Sequence, residues 1–194
     1  MPASLRILLV ESDPERAERV REALAEAGER DVAVISGRRV LARDVAEARA
    51  DIVLIDIAHP SRDVLEELTQ ATSPMERPVA MFVDQSDPAI TRAAIEAGVS
   101  AYVVDGLRAD RIRPILDAAV ARFHLFQRVR SELAATKAAL EERKLIDRAK
   151  GLVMKARGVT EEQAYALIRK TAMDQGKRVA DVAQALVTAA DLLR

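Results

Sequence analysis

The sequence predicts an open, doubly wound α/β unit on a five-stranded parallel sheet, followed by one long helix and a small three-helix unit. Three observations carry this expectation. Strand-like and helix-like stretches alternate five times in the first ~125 residues. No glycine lies between Ile112 and Lys150, and the only proline there is Pro114 in the first turn, so a single helix of about ten turns is available. The charge divides with the chain: Gln127 to Arg194 holds 14 Lys+Arg against 9 Asp+Glu, whereas Met1 to Phe126 holds 16 against 22. Every lysine, from Lys137 onward, lies on the basic side. An acidic α/β front joined to a basic helical end suggests a sensing or partner-binding part that controls a nucleic-acid-binding part.

Residues 7–10 and 52–55 are short apolar runs, each followed by acidic residues and a Pro-containing loop, as parallel strands buried on both faces are. Residues 78–83 and 101–104 read as two more strands, and 32–35 as another. Helices are expected over 14–27, 62–71, 88–97 and from 109 onward. Asp13-Pro14 and Asp87-Pro88 each place a capping carboxylate before a first-turn proline, and Gly28 and Gly98 end the helices that follow. On the long helix, Phe126, Val129, Leu133, Thr136 and Leu140 recur at 3-4-3-4 spacing, the seam of a short dimeric coiled coil flanked by Arg130, Glu132, Lys137 and Glu141. Beyond it, Gly158 breaks the helix and Thr160 with Gln163 forms a capping box. The next helix runs to about Asp174, and a last one covers 179–193 with Val179, Val182, Ala183, Leu186 and Val187 inward.

Composition excludes several classes of function. There is no cysteine, hence no disulfide, thiolate metal site or cysteine nucleophile, which fits a reducing cytosol. No apolar run approaches the ~20 residues of a membrane span, and no signal-like region precedes the first strand. A soluble cytoplasmic protein is expected. His59 and His124 are the only histidines and neither has an acid constellation; with no Gly-rich phosphate loop and no metal-ligand spacing, neither catalysis nor a cofactor is expected. Aromatics are 3% and Trp is absent, so the cores rest on Leu, Ile, Val and Ala.

Asp56-Ile57-Ala58-His59-Pro60 at the end of the third strand, with Val10-Glu11-Ser12-Asp13 after the first, resembles the receiver domain of two-component response regulators over residues 5–122. The resemblance implies a flavodoxin-like fold and an aspartate phosphorylated beside bound Mg²⁺, with a hydroxyl after the fourth strand and a lysine after the fifth contacting the phosphoryl oxygens. Here the two metal-binding acids fall on Glu11 and Ser12, with Asp13 next door as a partial substitute. The hydroxyl position falls on Val83 and the lysine position on Asp105, and no lysine in the first 126 residues could stand in. Asp56 is therefore expected to be a vestigial phosphoacceptor, and Glu11 and Asp13 a vestigial acidic pocket, with Asp56 and Glu11 binding a cation weakly or serving as ordinary strand-end carboxylates. Without a phosphate switch, the state must be set by whatever binds one conformation better. Loops 58–62, 84–87 and 105–109 are the expected contact surfaces.

In the basic end, residues 145–154 (with Ala149-Lys150-Gly151), Thr160-Glu161-Glu162-Gln163-Ala164-Tyr165 and Arg169-Lys170-Thr171-Ala172-Met173 resemble the ANTAR domain. That family binds paired small hairpins in leader transcripts and prevents transcription termination. Residues 60–64 and 98–106 narrow the resemblance to nitrate-assimilation antiterminators of the NasT type, in which a nitrate-sensing partner protein restrains a degenerate receiver. The implied organisation is a pseudo-receiver over 1–122, a connector or coiled-coil helix over 112–145 and an ANTAR RNA-binding domain over 142–194. Arg148, Lys150, Lys155 and Arg157 are expected along one small helix, and Arg169, Lys170, Lys177 and Arg178 near the end of the next, as phosphate contacts. Tyr165, the only aromatic after Phe126, has two readings: stacking on a loop base, or packing in the three-helix core with its hydroxyl at the surface. Ala149, Met154, Ala164, Leu167, Ala172 and Met173 are expected in the core, and mid-helix Gly151 marks close helix packing or close approach to a ligand.

The expected function is thus an RNA-binding antitermination regulator of nitrate or nitrite assimilation, active as a homodimer on a leader RNA with tandem hairpins. The alternative is a phosphorylation-responsive DNA-binding response regulator. Against it, the helix after Gly158 starts with Glu161 and Glu162, where a recognition helix would meet phosphates.

Overall fold

The computed structural model describes residues 5–36, 42–104 and 108–192, which fall into two compact units, Met1–Gln127 and Arg128–Arg194. In the first, β1 (Arg6–Val10), β2 (Asp31–Ile35), β3 (Ile52–Ile57), β4 (Val79–Val83) and β5 (Ala101–Val104) form one parallel sheet ordered β2-β1-β3-β4-β5. The strand order reverses between β1 and β3, and that crevice is where open α/β sheets place their functional groups. Val10 is in register with Ile55, so the next residues, Glu11 and Asp56, emerge side by side. Asp56 is level with Phe82 on β4, two residues before Asp84.

Alternation along each strand feeds two cores. Leu8, Val10, Val53, Ile55, Val79, Met81 and Val83 point to one face, covered by α2 (Ala42–Glu47), α3 (Arg62–Thr72) and α4 (Pro88–Glu96). Ile7, Leu9, Ile52, Leu54, Ala80 and Phe82 point to the other, covered by α1 (Pro14–Glu26) and the start of α5 (Ala109–Arg157). The helix starts follow the expected chemistry: the Asp13 carboxylate accepts from the Glu15 and Arg16 amides, and that of Asp87 from Ala89 and Ile90. Gly98 has φ +95°, a conformation that favours glycine, and a Cβ there would displace the flexible Met75 side chain. Fully buried Glu29 accepts from the Leu5 amide and pairs with Arg113, anchoring the first turns of α5.

Two features depart from expectation. Helix α2 was not foreseen: it has six residues, of which only Val45 is buried, too little for a periodic signal. The long helix does not stop before the basic end; α5 runs 49 residues, through Gly151, and its last turns are the first of the three expected small helices.

In the second unit those turns pack with α6 (Glu161–Asp174) and α7 (Val179–Leu192). Residue 193, the expected end of the last helix, lies outside the described residues. Ala149, Ile168, Ala172, Val182, Ala183 and Val187 are buried together, with Leu145, Ile146, Leu152 and Val153 against them. The turn into α6 is the full capping box: the Thr160 hydroxyl accepts from the Gln163 amide at 3.3 Å, and the Gln163 side chain accepts from the Thr160 amide at 3.1 Å. Thr160→Ala removes one half of it and is expected to lower stability by about 1 kcal/mol in urea denaturation followed by circular dichroism.

Candidate nucleic-acid interface

The buried residues of α6 are Ala164, Ile168 and Ala172, a stripe one helical turn apart. Residues one position further on therefore face away from that core. Tyr165 is 42% exposed and Met173 72%, and Arg169 between them is exposed as well. Spaced i, i+4, i+8, the three form one outward row, with Lys170 beside it. The core reading of Tyr165 and the core placement of Met173 are thus both corrected, because residues 165 and 173 lie about 100° around the helix from the buried stripe. Ala149, Ala164 and Ala172 are buried as expected, and Met154 and Leu167 partly so.

The nine residues expected to meet RNA separate by charge pairing. Arg148 is paired with Asp191 at 2.7 Å and Arg178 with Asp181 at 2.8 Å. Lys150, only 15% exposed, reaches Asp147 and Glu161, each at 2.6 Å. These bonds, to Asp147 first and Glu161 second, hold the Lys150 ammonium above its ordinary range, and Lys150 holds the Asp147 carboxyl below its own. Lys155, Arg157, Arg169, Lys170 and Lys177 are exposed, and among the described residues no carboxylate forms an ion pair with any of them. Gly151 fronts an open groove lined by Glu142, Arg143, Ile146, Asp147 and Lys150. A Cβ on Gly151 would meet nothing within 4 Å, which removes the close-packing reading for this chain's own atoms.

The strand-end pocket of the first unit is also not as expected. Asp56 is 2% exposed and Glu11 6%. Between them stands Arg16, from the first turn of α1. Its Nε donates to Asp56 Oδ2 at 2.6 Å and its Nη2 to Oδ1 at 3.0 Å, while Nη1 and Nη2 donate to Asp84 at 2.7 and 2.9 Å. Glu11 Oε2 lies 3.1 Å from Arg16 Nε, and Glu11 Oε1 accepts from the Asp13 amide at 2.9 Å. Asp13 does not join the pocket: its carboxylate is used as the α1 cap, and Asp84 is the third acid. Arg16 holds the Asp84 carboxyl below its usual range, whereas burial pushes that of Glu11 above it despite the nearby guanidinium. Val83 is fully buried, and Asp105 lies outside the described residues. A receiver-type Mg²⁺ does not fit these residues as arranged, because a guanidinium already occupies the space between the carboxylates. Among the described residues, no three acidic or histidine groups converge as metal ligands.

The first unit has receiver topology, and a basic unit of three packed helical segments follows it. The family model described as the ANTAR domain matches residues 134–187. The transcriptional regulatory protein PdtaR of Mycobacterium tuberculosis is 33% identical over 137 residues, covering 69% of this chain and 67% of that protein. The nitrate regulatory protein of Klebsiella oxytoca is 46% identical over 71 residues, 37% of this chain and 18% of that protein. In fold, the chain is similar to the receiver domain of a modulated diguanylate cyclase from Desulfovibrio desulfuricans (TM-score 0.51, 20% identity, 63% of this chain and 98% of that one). It is likewise similar to a LuxR-family response regulator from Aurantimonas (TM-score 0.50, 24% identity, 61% and 86%). The chain belongs to the ANTAR-domain transcriptional regulators. Among the described residues no helix is long and apolar enough to cross a membrane.

Proposed function

We propose that this protein is a cytoplasmic RNA-binding antiterminator that grips leader-RNA hairpins with the outward face of α6. The observation that carries this reading is the row Tyr165, Arg169 and Met173, with Lys170 beside it: an exposed ring and a guanidinium one turn apart, with no acidic ion-pair partner for the guanidinium among the described residues. Unpaired bases in RNA loops are bound by stacking on rings and guanidinium planes, and phosphates by cations that release counterions. Lys155, Arg157 and Lys177 supply further phosphate contacts. Arg148, Lys150 and Arg178 start from intramolecular pairs, so each would give up a carboxylate to gain a phosphate, and their net contribution is smaller.

Nitrate or nitrite is the proposed signal, relayed by a nitrate-sensing partner protein rather than by phosphorylation. The likeness to the Klebsiella protein named for nitrate regulation supports the signal, and the arginine-filled pocket around Asp56 supports independence from phosphate. The active form is proposed to be a homodimer joined along α5. Phe126, Val129, Leu133 and Leu140 are each more than half exposed in the single chain, an apolar seam at coiled-coil spacing that a second copy would cover. The proposed domain limits remain 1–122, 112–145 and 142–194.

Mobility-shift titration against a two-hairpin leader RNA at fixed salt, with duplex DNA and loop-mutated RNA as competitors, tests the first part. Tyr165→Ala and Arg169→Ala are each expected to weaken binding about tenfold, as one lost stack of ~1–3 kcal/mol requires, and Lys150→Ala to weaken it less. Preference for duplex DNA would favour the DNA-binding alternative instead. For the seam, Leu133→Asp is expected to shift the protein from dimer to monomer in sedimentation equilibrium with unchanged helical content; a variant that dimerises like the wild type would reject α5 as the interface.

A further inference from the structure

We infer that Arg16 is a built-in counter-ion that takes the place of a cation among the strand-end carboxylates, so that the receiver-like unit holds one state without divalent metal or phosphoryl group. The inference is independent of what the helical unit binds.

Geometry is the main argument. Two carboxylates as buried as Asp56 and Glu11, on adjacent strands, repel each other and have lost their water, so each needs a compensating positive charge. Arg16 supplies that charge as a planar fork, with two bonds to Asp56, two to Asp84 and an ion pair to Glu11. It is placed there by its own helix start, since the Arg16 amide donates to the Asp13 cap at 3.2 Å. A guanidinium is always charged, so the compensation does not depend on ion concentration.

The clamp also fixes the loops that a metal- or phosphate-responsive receiver would have to move. Arg16 joins the β1–α1 turn to the end of β3 and to the β4–α4 loop. The Asp84 and Gln85 amides both donate to the Ala58 carbonyl at 3.2 Å, tying the second of those loops to the third. Two residues on, Ser86 Oγ lies 2.6 Å from the Tyr102 hydroxyl and 3.2 Å from that of Thr91, and Asp87 caps α4. From Asp84 to Asp87, every residue is thus held by at least one bond to another element or to the helix it starts. Val83, where a hydroxyl would sense a phosphoryl group, is apolar and fully buried.

Thermal unfolding of the full chain and of Arg16→Ala and Arg16→Gln, with and without millimolar Mg²⁺, tests this, together with calorimetric titration of Mg²⁺ into the wild type. Wild type is expected to give no binding heat and an unchanged Tm. Each variant is expected to lose several degrees and to recover much of that loss on adding Mg²⁺, with the recovery abolished by a second change, Asp56→Asn. Mg²⁺ binding by the wild type overturns the inference even if neither variant folds, and so does a folded variant that Mg²⁺ leaves unaffected.

Discussion

One helix has to satisfy two cores, and much of the molecule depends on that constraint. The first turns of α5 give Ile112, Leu116 and Ala119 to the sheet unit, and its last turns give Leu145, Ala149 and Leu152 to the helical unit. In between, every residue from 128 to 144 is exposed. A helix of that length without neighbours is marginal in water, so its middle persists because packing holds both ends, and any partner along Val129, Leu133 and Leu140 stabilises it further. Within α5 the proline is Pro114 and the glycine is Gly151.

Charge pairing is the second organising influence, and it acts differently in the two units. In the sheet unit, one arginine faces three acids and takes over the place where a receiver would hold metal and phosphate. In the helical unit, local acids reach some cations and leave others alone. Asp147 and Glu161 draw Lys150 inward, and Asp181 and Asp191 take Arg178 and Arg148. Among the described residues, the exposed cations that no carboxylate pairs include Arg169 and Lys170 on α6, Lys155 and Arg157 at the end of α5, and Lys177 just after α6. The fold and its family define a transcriptional regulator; the proposed target face rests on the exposed row Tyr165, Arg169 and Met173 of α6.

Much of the fold was legible because its signals are local. Apolar runs such as 52–55 can be little other than buried parallel strands, and Asp13-Pro14, Asp87-Pro88 and the Thr160–Gln163 box mark helix starts within four residues. Helix α2 escaped because its only buried residue is Val45. Tyr165 and Met173 were harder: Ala164, Ile168 and Ala172 establish which stripe of α6 is inward, but in a helix this rich in alanine the larger neighbours look equally eligible. Arg16 was missed for a different reason. Its partners lie 40 and 68 residues away in sequence, and in the chain it reads as one more solvent-facing arginine of α1. The available clue was indirect: strand-end carboxylates at Glu11 and Asp56, with no lysine in the front half, call for some other cation, and arginine is the abundant one there.

The most direct test of the account is an amide NMR titration of the 21.2 kDa chain with a single hairpin RNA, read residue by residue. The largest shifts are expected on the outward face of α6, at Tyr165, Arg169, Lys170 and Met173, with smaller ones around Lys155 and Lys177 and little change at Arg16, Asp56 or Asp84. Shifts centred on the strand-end loops of the sheet unit, or spread evenly over all the basic residues including Arg148 and Arg178, would contradict it.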